Sequence, residues 1–235
     1  MIIGPSIKTD GLLLHLDAGS YKSYPRTGFT WYDISGNDHH AYGQPGTSVV
    51  TGSLDANFPT WQANDGGRFY LDGTDAWTIL TDLGSHTDVT VESFFYLDTS
   101  GGQAYFADAR NGSGTYYFWN YNSHNISIGN TYTADSPETY QEASNWFNRW
   151  VHFVIIDNPG YAPKLYIDGV LIVAPELKGT TSIDNDFGQY FRIGSRYTNS
   201  NEWEGYFGNF RIYNVSLTAT EVLQNFNAQR NRFGI

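Results

Sequence analysis

The chain of 235 residues carries 13 basic and 24 acidic residues and no cysteine, which leaves a net charge of −11. That balance argues against binding to a phosphate backbone or to anionic lipid, and the missing thiols rule out a disulfide framework and thiolate metal sites. With 18 Tyr, 15 Phe, 7 Trp and 25 Gly, the composition is that of twisted sheets joined by tight turns.

Residues 1–10 read as an apolar arm, with Ile2, Ile3 and Ile7 around Gly4-Pro5. Leu12–Asp17 is the first strand. Residues 18–48 form a long excursion rich in Gly, Asn, Asp and Ser, and a loop of that length in a compact domain is usually functional or held by a ligand. Arg68–Leu71 and Trp77–Leu80 pair across Asp72-Gly73-Thr74-Asp75, a hairpin signal. Thr87–Asp98 alternates, with Val89, Val91, Ser93, Phe95 and Leu97 on one face. Ala104–Ala109, Tyr116–Tyr121 and Ile126–Ile128 continue the meander. The polar stretch Asp135–Asn148 includes a helical turn over Glu138–Ala143. Trp150–Asp157, Lys164–Ile167, Val170–Ala174 and Phe191–Gly194 are further strands, with Asp168-Gly169 as the tight turn into Val170.

The chain closes on a strand that runs into a helix. Phe210 and Ile212 alternate with Arg211 and Tyr213, the period of a half-buried strand. Phe207 has the wrong parity for that face, which predicts a bulge near Gly208. Thr218-Ala-Thr-Glu221 is a capping box, Leu217 staples onto Val222, and Val222, Leu223 and Phe226 form one apolar stripe. No repeat or linker divides the chain, so residues 11–235 read as one domain behind the arm at 1–10. No stretch has the apolar length of a membrane span, and the first residues lack the pattern of a signal peptide.

The run Gly205, Phe210-Arg-Ile-Tyr-Asn214, Leu217-Thr-Ala-Thr-Glu221, Leu223 and Phe226 resembles the C-terminal signature of laminin G-like, concanavalin A-type jelly-roll domains. The resemblance extends to Gly11-Leu-Leu-Leu-His-Leu-Asp17-Ala-Gly19, Trp31-Tyr-Asp33-Ile-Ser-Gly36-Asn37 and Phe69-Tyr-Leu-Asp72. It continues through Trp150-Val-His-Phe-Val154 and Lys164-Leu-Tyr-Ile-Asp168-Gly169, so it covers nearly the whole chain. It implies an all-β fold, a two-sheet antiparallel sandwich with one short C-terminal helix. Such domains occur in carbohydrate-binding modules and in virion proteins of tailed phages, and the fold hosts many roles.

Three chemistries are open to these residues. Calcium needs six to eight oxygens, and Asp33, Ser35, Asn37 and Asp38 supply them at close intervals around Gly36. Laminin G-like domains often hold calcium with this loop and an acid on the last strand. Here Gly208-Asn209 stands where an Asp-Glu pair is common, so the metal candidates are Asp33, Asn37 and Asn209. The alternative is an Asx-turn loop without metal. Sugar binding needs exposed rings beside Asn, Asp and Gly. Tyr117, Trp119 and Tyr121 on one strand, with Tyr197 and Trp203 in a loop, are the candidates, against a core role for the same rings. Glycoside hydrolysis needs two carboxylates at a set separation. Glu202-x-Glu204, Asp184-x-Asp186 and Glu138 with Glu142 lie beside turn residues and lack the third acid of the hydrolase strand, so no enzyme is expected. His39-His40 and His152 imply no metal site.

The expectation is a non-enzymatic virion structural protein of a tailed phage, a head decoration or a neck, tail or fibre component. Its partners are other virion proteins or copies of itself in a homo-oligomer, with host-surface glycan as a further partner, no nucleic acid and no membrane insertion. A stand-alone carbohydrate-binding module is the alternative, followed by a glycoside hydrolase. The apolar arm and the Phe233, Ile235 tail are expected to leave from one end of the domain and bury on a partner.

Overall fold

A computed structural model describes residues 6–45, 58–98, 103–108, 115–122, 125–131, 138–141, 146–158, 163–172, 185–187, 191–196 and 202–235. The strands are β1 (Leu12–Asp17), β2 (Thr30–Trp31), β3 (Ala41–Pro45), β4 (Thr60–Gln62), β5 (Arg68–Asp72), β6 (Asp75–Ile79), β7 (Ser85–His86), β8 (Val89–Leu97) and β9 (Gln103–Asp108). They continue with β10 (Thr115–Asn122), β11 (Asn125–Thr131), β12 (Glu138–Gln141), β13 (Trp150–Asp157), β14 (Lys164–Ile167), β15 (Val170–Ile172), β16 (Asn185–Asp186), β17 (Phe191–Ile193) and β18 (Glu204–Tyr213). One helix, α1 (Ala219–Phe233), follows.

Two antiparallel sheets of eight strands each face one another among the described residues. The first runs β15-β14-β13-β8-β18-β5-β4, with β1 also paired to β18, and the second runs β12-β11-β10-β9-β17-β6-β3-β2. Period-2 alternation sends Leu14, Leu16, Phe69, Leu71, Val91, Phe95, Phe153, Ile155, Phe210 and Ile212 of the first sheet into the interior. Trp31, Trp77, Ile79, Phe106, Phe191 and Ile193 of the second sheet meet them there. The expected bulge is present: the pairing of β18 with β8 shifts between Phe207 and Asn209, which puts Phe207 inside along with Phe210. Glu138–Gln141 is a strand and not the expected helical turn, because pairing along β11 satisfies its backbone and overrides a weak local preference.

The last strand is not half-buried. Arg211 and Tyr213 are both at 0% exposure because α1 lies across the outer face of the first sheet. The capping box starts the helix: Thr218 Oγ1 accepts the Glu221 N–H at 3.3 Å, and Glu221 Oε2 accepts the Thr218 N–H at 2.8 Å. Gly234, in the left-handed region at φ 71°, ends it. Leu217 and Val222 are buried in one cluster, as a staple requires, and Phe226 is buried, while Leu223 of the same stripe remains 46% exposed. Phe233 stacks on Phe94 at 4.6 Å between centroids. Gly208 permits that approach, since a Cβ there would stand 2.4 Å from the Phe233 ring.

Beneath α1 lies one ionised carboxylate with four donors. Glu92 Oε1 accepts from Arg211 Nη1 at 2.9 Å and His152 Nε2 at 2.8 Å, and Oε2 accepts from Asn225 Nδ2 at 2.8 Å and the Tyr213 hydroxyl at 3.3 Å. Asn225 Oδ1 in turn accepts the Lys8 N–H at 2.7 Å, Gln224 donates to the Ser6 carbonyl at 2.7 Å, and Lys8 Nζ pairs with Glu221 at 2.8 Å. Residues 6–8 of the arm therefore lie on the domain's own helix, and the Phe233 and Ile235 tail packs on the domain's own sheet. That corrects the expectation for residues 6–8, which hydrogen bonds and an ion pair hold on the helix, and for the Phe233 and Ile235 tail, which ring packing holds on the sheet. Residues 1–5 lie outside the described part.

Two buried acids give stability opposite slopes with pH. Burial alone would raise Glu92, but Arg211 and then the His152 hydrogen bond hold it at about 2, so its contribution is lost as pH falls from about 4.5 toward 2. Asp75 is 3% exposed and its Oδ1 has no hydrogen-bond partner. Burial, then the charge of Asp72, pushes it up to about 7 from 3.8, so stability declines as pH rises from about 4 to about 7. Asp75→Asn is expected to remove that decline and to raise stability at pH 8 by about 1–3 kcal/mol, read from denaturant unfolding across the pH range. An unchanged pH profile would show that Asp75 is solvated in the native state.

Candidate functional site

The helix α1 packs on the outer face of the first sheet, and among the described residues no helix packs on the outer face of the second. A single register row crosses it: Thr30 pairs with Tyr42, Tyr42 with Thr78, Thr78 with Arg192, and Arg192 with Asp108. Its neighbours Trp31, Ala41, Trp77, Ile79 and Ile193 point into the core, so the row points away from it. Burial deepens along the row. Thr30 and Tyr42 are half-buried at the β2–β3 edge, while Thr78, Arg192 and Asp108 are buried. Burial is the main influence on Arg192 and lowers its pKa, with Asp108 and Glu202 acting in the opposite sense.

The open end of this row carries the rings. Among the described residues the large aromatic side chains that stay exposed are Tyr21 at 69%, Phe29 at 37% and Tyr32 at 40%, all from the excursion between β1 and β3. Tyr32 follows Trp31 and so shares the outer face with Thr30. Its ring meets His40 edge-on at 5.1 Å between centroids, and His40 precedes the inward Ala41. Tyr32, His40, Thr30 and Tyr42 thus form one platform, with Phe29 beside it.

Several internal bonds hold the platform in place. Ser23, fully buried, accepts the Tyr32 N–H at 2.7 Å and donates its hydroxyl to the Tyr32 carbonyl at 2.6 Å. Arg26, with φ at 68°, donates to the Ala18 and Gly19 carbonyls at 2.6 and 2.9 Å and lies 4.2 Å over the Trp61 ring. Asp33 Oδ1 accepts from His15 N at 2.8 Å and Ser35 N at 2.9 Å, while Oδ2 accepts from the Ser35 hydroxyl at 2.7 Å and His39 N at 3.1 Å. This is Asx-turn chemistry spread over a whole loop.

The metal candidates do not converge. Asp33 spends both oxygens on the loop, and the Asn37 amide donates to the Leu12 and Leu13 carbonyls at 3.1 and 2.9 Å. Asn209 is fully buried under α1, where its Oδ1 accepts the Phe94 N–H at 3.0 Å and its amide donates to Gln229. Among the described residues no group of three or more His, Asp or Glu side chains is placed to hold a metal ion. Of the ring candidates, Trp203 is a core residue at 2% exposure, packed edge-on against Phe95 at 5.0 Å, so it presents no surface to a sugar. The parity of β18 explains this: Trp203 precedes the strand and is folded back between the sheets by its N–H bond to Gly194. Tyr117, Trp119 and Tyr121 lie on β10 beside β9, where only the backbone is described, and Tyr197 lies outside the described residues. The signal for Tyr21, Phe29 and Tyr32 was legible in the sequence as rings set in a Gly, Asp and Asn loop.

With the loop oxygens already bonded to loop donors, melting curves in chelator and in excess calcium are expected to coincide. A rise in melting temperature with calcium would show that Asp33 exchanges its N–H partners for a cation.

No helix of the described residues is long and apolar enough to cross a membrane. A search of curated proteins finds no significant sequence match. Among solved structures the fold is similar to the receptor-binding domain of botulinum neurotoxin type G, with TM-score 0.63 and 13% identity over 94% of this chain and 52% of that one. It is similar to the serotype D ligand-binding domain solved with N-acetylneuraminic acid, with TM-score 0.62 and 15% identity over 94% and 52%. It also resembles domain 4 of an extracellular arabinanase from Geobacillus stearothermophilus, solved with arabinotriose, with TM-score 0.61 and 14% identity over 92% of this chain and 98% of that one. The chain thus spans about half the length of the toxin chains that it matches. At these identities the likeness is one of fold. The family profile described as the concanavalin A-like lectin/glucanases superfamily, of the laminin G type, matches residues 72–223, and the chain belongs to that family.

Proposed function

We propose that this chain is a non-enzymatic glycan-recognition domain that binds sugar on the Tyr32 platform. The observation that carries this reading is the exposed Tyr32 ring set edge-on against His40 on one internally bonded loop, at the β2–β3 edge of the second sheet. Sugars present an apolar face of C–H groups and a rim of hydroxyls. A ring stacked on that face, with polar groups beside it, is the pairing that fixes both affinity and orientation. Structures of the same fold solved with arabinotriose and with N-acetylneuraminic acid support the class of ligand. A recognition role also fits the carboxylates: the best-buried acid on the first sheet, Glu92, spends its lone pairs on structural donors.

Tyr32→Ala is expected to weaken binding to whichever glycan an array identifies by about three- to tenfold, with the melting temperature unchanged. Binding that survives the substitution at full strength would move the site to another face.

The setting we infer is the virion of a tailed phage, as a head decoration or a neck, tail or fibre part. The resemblance to a domain type that occurs in virion proteins of tailed phages supports it, and copies of the chain are the partner assigned to the exposed Val170, Leu171 and Leu223, which flank the β15 edge and α1. Mass spectrometry of purified particles is expected to detect the chain in stoichiometric amounts, and its absence from them would remove the virion setting while leaving the glycan reading intact.

A further inference from the structure

We infer that the sugar taken by the Tyr32 platform is uncharged and not acidic. The inference rests on the glycan reading above and concerns which class of glycan that same site selects.

The polar group at the centre of the platform is a neutral imidazole. His40 Nδ1 accepts the Asp33 N–H at 3.2 Å, which leaves Nε2–H as the ring's donor. A single neutral N–H suits a sugar hydroxyl. A carboxylate or sulfate is better served by a guanidinium fork or an ammonium group.

Charges around the platform point the same way. The neighbouring His39 has its pKa lowered by burial first, while the carboxylates Asp33, Asp38 and Asp82 act on it in the opposite sense. Three negative groups therefore surround this end of the sheet. The cations of the loop are Lys22 and Arg26. Arg26 is committed to the Ala18 and Gly19 carbonyls and to the Trp61 ring. Lys22 is exposed next to Tyr21. Farther along the row, Arg192 is buried and feels both Asp108 and Glu202. The local balance is negative and the whole chain stands at −11, so a negatively charged sugar is repelled both on approach and at contact.

The deeper part of the row is closed to a ligand. Thr78 Oγ1 is fully buried and has no hydrogen-bond partner among the described residues. It sits between Tyr42 and Arg192, so the surface open to a ligand ends at the half-buried Tyr42.

The test uses the intact chain and a glycan array built of matched pairs, each a neutral oligosaccharide with and without a terminal sialic acid. The neutral members are expected to bind about three- to tenfold more tightly at low ionic strength, with the gap narrowing in added salt. Asp38→Asn, at an exposed position, is expected to narrow it as well. Sialylated members that bind as tightly as the neutral ones, or more tightly, with that binding lost in Tyr32→Ala, would overturn the inference and leave the glycan reading standing. An array with no Tyr32-dependent binding to any member would instead remove the glycan reading itself.

Discussion

A buried carboxylate is the constraint on which the rest of this structure depends. Glu92 sits at full burial on the central strand of the first sheet, where an unpaired charge would be intolerable. Its four partners come from β13, β18 and α1, so satisfying one side chain requires that two neighbouring strands and the helix all be in register. Removing a single partner of such a buried pair typically costs about 3–5 kcal/mol, because the remaining charge stays where it is. The apolar cluster of Phe94, Trp150, Phe226 and Phe233 then seals the polar centre on one side. Asn225 extends the arrangement to the arm at Lys8, so both ends of the described chain are held on one face.

Arg232 does for the end of the helix what Asn225 does for its middle. Its guanidinium reaches the Asp65 carbonyl at 2.8 Å, the Gly67 carbonyl at 2.5 Å and Asp17 Oδ1 at 2.6 Å. Asp17 closes β1 just before the ring-bearing excursion begins, and Ala18 and Gly19 at the start of that excursion hold Arg26. The helix on one face of the sandwich is thereby connected through short bonded steps to the root of the platform loop on the other. The proposed platform and the docking of the termini lie on different sheets of the sandwich.

Charge divides the molecule in the same way. The buried Arg211 is matched by Glu92 and the half-buried Arg232 by Asp17. Exposed acids such as Asp38 and Asp82 add a negative field at the end of the sandwich near His39. A lectin-like sandwich can carry many ligand classes on one fold, so the class it selects depends on which charges the loops bring to the free face and not on the sheets.

The sequence by itself determined the elements whose signals are local. The capping box at Thr218 and Glu221, the tight turn at Asp168-Gly169 and the bulge near Gly208 each follow from chemistry among residues a few positions apart. The two-sheet fold was implied by the laminin G-like resemblance that runs through the chain. What the tertiary structure decided were the questions of which face is covered and by what. Arg211 reads as a solvated residue on a half-buried strand until α1 is laid over it. Trp203 reads as a loop ring until a bond to Gly194 folds it between the sheets. Glu138–Gln141 reads as a polar turn until β11 offers its backbone a partner. Asp33 and Asn37 read equally as metal ligands or as loop caps until the donors of His15, Ser35 and His39 are brought to them. In each case the deciding partner is distant in the chain or depends on packing, and alternation along a strand tells inside from outside only when one side is left to water.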